Sequence, residues 1–201
     1  MGRVKALSSE FGRVIRLGLA VGVTIVVAAC GGATAVPTYD LIAPHEFGQI
    51  RPARGLLAVA VPSALQTLDT EKIVVEPSPG VVTYASDAQW SDRLPRLLQA
   101  RIVEAFENST RIRTVARTGD RVSADAQLVT DIRTFSIQGG NAVVEISAKI
   151  ISERGGRIAA ARVFIGRVPA PSANGAGAAS ALNDALSIVL VDLVRWTSTK
   201  I

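Results

Sequence analysis

Residues 142–152 read AVVEISAKIIS, and the alternation within them decides the fold class. Val144, Ile146, Ala148 and Ile150 fall on one side of an extended chain, and Glu145, Ser147 and Lys149 on the other. That is the period-two pattern of a strand with one buried and one solvated face. Turn sequences flank it, Gly139-Gly140-Asn141 before and ERGGR at residues 153–157 after. Residues 127–138 and 158–168 therefore read as its neighbours in an antiparallel meander. The first of these is irregular: Ile132 and Phe135 have opposite parity, which predicts a bulge or an edge position.

Upstream, RIRTVAR at residues 111–117 reads as a short strand, turned at Gly119-Asp120. Before it the period changes. Trp90, Leu94, Leu97, Leu98, Ile102, Ala105 and Phe106 recur at steps of three and four, predicting an amphipathic helix to about Asn108, with Ser91 as N-cap and Pro95 in the first turn. KIVVE at residues 72–76 and VVTY at residues 81–84 flank Pro77-Ser78-Pro79-Gly80 and read as a hairpin. GLLAVAV at residues 55–61 is a short continuous apolar run, the pattern of a central strand covered on both faces. Downstream, a Pro/Ala/Gly loop leads into a last helix over about residues 178–197. Leu182, Leu186, Val189, Leu193 and Trp196 form its seam, but its middle turns are apolar nearly all round, so it needs burial within the domain or a covering partner.

The first residues follow a different logic. Arg3, Lys5, Arg13 and Arg16 precede 13 uncharged residues, 17–29. A bilayer-spanning helix needs about 20 apolar residues, so this run suits the central region of a secretory signal. Ala28 and Ala29 then precede Cys30, the only cysteine in the chain. The stretch Val27-Ala28-Ala29-Cys30 resembles the bacterial lipobox, which implies cleavage between Ala29 and Cys30 and acylation of the thiol. Two or three acyl chains on one residue hold a protein at a membrane far more firmly than the single chain that binds marginally. Residues 30–54, punctuated by Pro and Gly, read as the lipidated N-terminus and a flexible tether, with residues 38–42 extended enough to pair at a sheet edge. The expected organisation is thus signal 1–29, tether 30–54 and one α/β domain 55–201. That domain is a mixed sheet with an antiparallel meander, packed by two main helices. The only cysteine being acylated, no intramolecular disulfide is expected.

Several chemistries lack the residues they need. The formal charge is +5, but the leader's four cations against Glu10 account for three of those charges, which leaves no basic footprint for nucleic acid. His45, the only histidine, sits in the predicted tether, a poor place for a catalytic imidazole. No second imidazole or thiol completes a metal site. Asp87 with Asp92, and Glu104 with Glu107, read as surface charges and caps rather than an acid/base pair. The chain is expected to be neither an enzyme nor a cofactor carrier.

The order of lipobox, Tyr39-Asp40-Leu41, first strand, hairpin and Trp90-Ser91-Asp92-Arg93-Leu94 resembles the ABC-type transport auxiliary lipoproteins. These small outer-membrane lipoproteins accompany transporters of the MCE type. In that family a Y-x-L follows the acylated cysteine and a W-x-x-x-L opens the first helix; here Tyr39 and Leu41, and Trp90 and Leu94, occupy those places. Glu76 departs from the pattern, since the resemblance implies a basic residue there in many relatives. The resemblance implies a domain anchored through Cys30 at the periplasmic face of the outer membrane, docking the MCE protein and its ABC permease and ATPase during lipid transport. Gly31, in place of the aspartate that retains such lipoproteins in the inner membrane, agrees with that sorting. A lipid-binding carrier and an assembly scaffold are the alternatives, and homo-oligomerisation stays open.

Overall fold

The computed structural model describes residues 35–52, 55–109, 115–120, 123–172 and 175–201. The signal, Ala29 and Cys30 lie outside the described residues, as do residues 111–114 of the RIRTVAR stretch. The strands are β1 (Thr38–Tyr39), β2 (Leu57–Val59), β3 (Ser63–Ala64), β4 (Lys72–Ser78), β5 (Val81–Trp90), β6 (Val115–Arg117), β7 (Ala126–Gln138), β8 (Asn141–Ser152) and β9 (Arg157–Pro169). Helix α1 is Leu94–Asn108 and α2 is Gly175–Ser198.

The quoted stretch forms β8, with Val144, Ile146, Ala148 and Ile150 buried on the helix side and Lys149 exposed opposite. Its partners are antiparallel, β7 on one edge and β9 on the other. The predicted irregularity in β7 is a bulge. Ile132 faces Ile146 and Thr134 faces Glu145, so Arg133 is the extra residue. Parity resets there, and Ile132 and Phe135 both enter the core. Displaced outward, Arg133 reaches Glu145 at 3.3 Å.

The other edge of β7 takes three strands in succession, all parallel: β2 near Ala126, β3 near Asp131 and β4 near Ser136. Beyond β2 lies β6, and beyond β4 lie β5 and then β1. The sheet is therefore mixed, as expected. Both helices pack on one face and touch each other, α1 over β2 and β6 and α2 over β8 and β9. This corrects the expectation for residues 55–61. β2 is central and its three residues are buried, but helices cover only one side; Ala58, on the other, lines a shallow pocket with Arg117, Gln127 and Glu153. A methyl group needs little cover.

Two further boundaries differ from the sequence reading. Strand β5 runs on to Trp90, because Gln89 and Trp90 pair with β1 and Gln89 also pairs with Lys72 of β4. Trp90 thus ends a strand rather than starting a helix. Helix α1 begins at Leu94, Ser91 does not cap it, and Pro95 sits in the first turn as expected. The carbonyl of Thr70 accepts from the Leu94 N–H at 3.1 Å, taking the place of a side-chain cap.

The largest correction concerns the tether. The compact unit starts at Val36, and Leu41, Ala43, Phe47 and Ile50 are core residues. The apolar side chains spaced through residues 41–50 find cover on the helices, and burial outweighs the flexibility that Pro and Gly suggest. Of residues 38–42, expected to pair at a sheet edge, Thr38 and Tyr39 do so as β1, parallel to β5.

Helix α2 is covered as a core helix should be, with Leu182, Leu186, Val189, Leu190, Leu193 and Val194 fully buried and Ile188 exposed. Its closest approach is to β9 at Gly166, where a Cβ would collide with the Ala185 carbonyl. Gly166→Ala is therefore expected to lower unfolding free energy by about 1–3 kcal/mol. Ser147→Ala, on the helix-free face of β8, should stay within about 0.5 kcal/mol. Urea unfolding of both variants checks this; equal midpoints would refute the close approach.

Candidate functional site

The four motif residues on described chain, Tyr39, Leu41, Trp90 and Leu94, come together at the junction of β1, β5 and α1. Tyr39 is in register with Trp90, and the Ser91 N–H donates to the Tyr39 carbonyl at 2.8 Å. Trp90 is buried and meets Phe135 edge-on, with ring centroids 5.8 Å apart. Such a pair adds about 0.5–1.5 kcal/mol beyond the area it buries. Leu41 and Leu94 are buried in the same core, while Tyr39 packs against it half-buried. The motif is a clamp on the N-terminal segment, and its apolar members face inward.

Between Tyr39 and Leu41 stands Asp40, whose carboxylate ties the clamp together. Oδ1 accepts from the Leu41 N–H at 2.8 Å and from the Ser91 hydroxyl at 3.3 Å, and Oδ2 meets the Arg101 guanidinium at 2.9 Å. Arg101, on the first helix, also binds Glu104. An Asp immediately before a buried strand end satisfies local N–H groups in this way, while the salt bridge adds little alone because Asp40 is half exposed.

Further along, polar residues of both helices hold the same segment. The Asn183 Oδ1 accepts from the Ile42 N–H at 2.7 Å. Asn108 Nδ2 donates to the Pro44 carbonyl at 3.2 Å, and Arg195 Nε to the Phe47 carbonyl at 3.0 Å. Sequence reasoning missed Asp40, Arg101, Asn183 and Arg195 as a set. Only Asp40 carried a local signal, its place inside the Y-x-L motif.

The remaining candidates have structural partners or none. His45 is exposed beside the clamp. Asp87 accepts from the Gly175 N–H at the start of α2, and Asp92 from the Arg93 N–H. Glu76 accepts from the Ser136 hydroxyl and the Gln138 amide, both at 2.8 Å, so this position pairs within the sheet with neutral donors. Among the described residues, no group of three or more His, Cys, Asp or Glu could hold a metal ion.

Comparison with known proteins reaches the same segment. The family model for the ABC-type transport auxiliary lipoprotein component matches residues 39–194, from the clamp tyrosine to the last turns of α2. The chain belongs to this family. The family is the lipoprotein component auxiliary to ABC-type transport, a class associated with the cell envelope. The chain is also 34% identical over 175 residues to an uncharacterized protein of Bradyrhizobium diazoefficiens, covering 83% of this chain and 46% of that one. It thus spans about half the length of that curated relative. Among solved structures, a Xanthomonas campestris protein is similar at 30% identity and a TM-score of 0.72, over 81% of this chain and 95% of that one. An uncharacterized protein at 15% identity shares the fold, with a TM-score of 0.65 over 82% of this chain and 99% of that one.

Asp40→Ala should leave global stability within about 1 kcal/mol. Amide exchange across residues 36–47 should accelerate while β8 keeps its protection, a contrast that exchange mass spectrometry reads directly. Unchanged exchange in residues 36–47 would show that apolar burial alone holds the segment.

Proposed function

We propose that the chain is a non-catalytic accessory lipoprotein of an MCE/ABC-type lipid transport system, held through acylated Cys30 at the periplasmic face of the outer membrane. There it docks the periplasmic part of the transporter, its partners being the MCE protein with its ABC permease and ATPase. The single observation that carries this reading is the clamp. It fastens the chain into the domain at residues 38–41, a few residues after the proposed anchor. From Cys30 to Val36 there are only six residue steps, which extend at most about 20 Å. A pull on the anchor is then borne by β1, Asp40 and the buried Trp90 rather than taken up by a long linker. Such a domain suits a fixed docking post near the bilayer.

A carrier would need room for an acyl chain between sheet and last helix. That space is filled by Leu186, Val189, Leu190 and Leu193 of α2. Filled space of this kind favours docking over carriage.

The test is affinity purification of the tagged, membrane-extracted lipoprotein, with mass spectrometry of co-purifying proteins and lipids and Cys30→Ala as control. An MCE protein with its permease and ATPase is expected from the wild type, and Cys30→Ala is expected in the soluble fraction. Stoichiometric phospholipid with no transporter component would overturn the docking reading.

A further inference from the structure

The sheet branches at β7, and among the described residues its longer branches end in β1, β6 and β9. β1 and β6 are short; β9 is not. Between β1 and β9 come β5, β4, β7 and β8. Five strand spacings put β9 about 24 Å from β1. β9 is 13 residues long, and among the described residues it pairs only with β8. Its outward backbone N–H and C=O groups therefore form an open ladder.

The side chains along that edge are unusual in two ways. Ile158, Val163 and Ile165 are 59%, 38% and 58% exposed, and Val163 and Ile165 stand on the helix-free face. Around them the β8–β9 hairpin, residues 141–169, holds Lys149, Arg154, Arg157, Arg162 and Arg167 against two acids, Glu153 and Glu145, and Glu145 is engaged by Arg133. None of these five cations takes part in an ion pair among the described residues, although ion pairs occur elsewhere on the domain. Arg162 lies over the Phe164 ring at 5.0 Å.

We propose that β9 is the docking edge for the transporter, receiving an extended segment of the partner that adds a strand and brings acidic side chains to Arg162 and Arg167. This rests on the docking reading above and names the surface that performs it. Main-chain hydrogen bonds supply the affinity in such strand addition, and alternate side chains the specificity. One face of the incoming strand meets Val163 and Ile165, and the other meets Arg162. Charge selects the partner: a second copy would set five cations against five, whereas an acidic segment neutralises them. Geometry agrees, because β1, the first described strand after the proposed anchor, lies five strand spacings from β9.

Charged edge residues also guard strands against aggregation, and charge reversal separates the two roles. Arg162→Glu/Arg167→Glu keeps a charged, guarded edge but inverts its attraction. The experiment places a photocrosslinking amino acid in the full-length lipoprotein, in cells, at Ile165 on the edge or at Ile188 on the exposed side of α2. The crosslinked partner peptide is identified by mass spectrometry. Ile165 is expected to capture an acidic segment of an MCE or permease component, and Ile188 is not. The double reversal should cut recovery of that component about tenfold, a loss typical of removed charge pairs, with the thermal midpoint unchanged. Crosslinks to a transporter component from Ile188 alone would overturn the β9 assignment and leave docking standing. A product between two copies of this chain at Ile165, or full recovery with the double reversal, also overturns it. No transporter component at either position, nor in the affinity purification, would remove the docking reading itself.

Discussion

Pairing along the two edges of β7 is the constraint on which the rest of the structure depends. One edge carries β8 over nearly its whole length, and the other accepts β2, β3 and β4 in turn. A strand shared in this way must bury side chains at both of its ends, and strict alternation cannot serve Ile132 and Phe135 together. The bulge at Arg133 solves this by inserting one residue, so both reach the core while the arginine goes outward to Glu145. Phe135 then supplies the ring against which Trp90 packs. The clamp on the N-terminal segment thus rests on a parity change in a strand far from it in sequence.

The clamp in turn changes the mechanical picture of the lipoprotein. A tether running to residue 54 would let the domain wander on the scale of tens of ångströms, since a flexible chain's span grows with the square root of its length. Packing from Val36 onward removes most of that freedom. Apolar contacts of Leu41, Ala43, Phe47 and Ile50 provide the burial, and Asp40, Asn183 and Arg195 fix the course of the backbone between them. Long polar side chains at the edge of an apolar contact add direction more than strength.

The first described strand and the open edge are separated by the order of the strands. β1 and β6 end two branches on one side of β7, and β9 ends the meander on the other. The helix layer is confined to one face, where Gly166 allows α2 to lie close to β9. What remains accessible on β9 is therefore its outer edge and its helix-free face, where Val163, Ile165 and Arg167 lie.

The period-two alternation of residues 142–152, the three- and four-residue steps of residues 94–106 and the Gly and Pro turns are local properties. The sequence by itself therefore determined the meander, both helices, the hairpin and an irregularity in β7; the resemblance to a lipobox at Cys30 falls outside the described residues. The sequence also held the Y-x-L and W-x-x-x-L motifs. Other features depended on partners distant in the chain. That Trp90 ends a strand was decided by β1, and that residues 36–50 are packed was decided by surfaces on α1 and α2. Asp40 joins Arg101, and Asn183 meets Ile42, across 61 and 141 residues. Local pattern reports which side chains seek burial, but only the folded chain brings the surface that buries them, because burial is a property of two faces meeting.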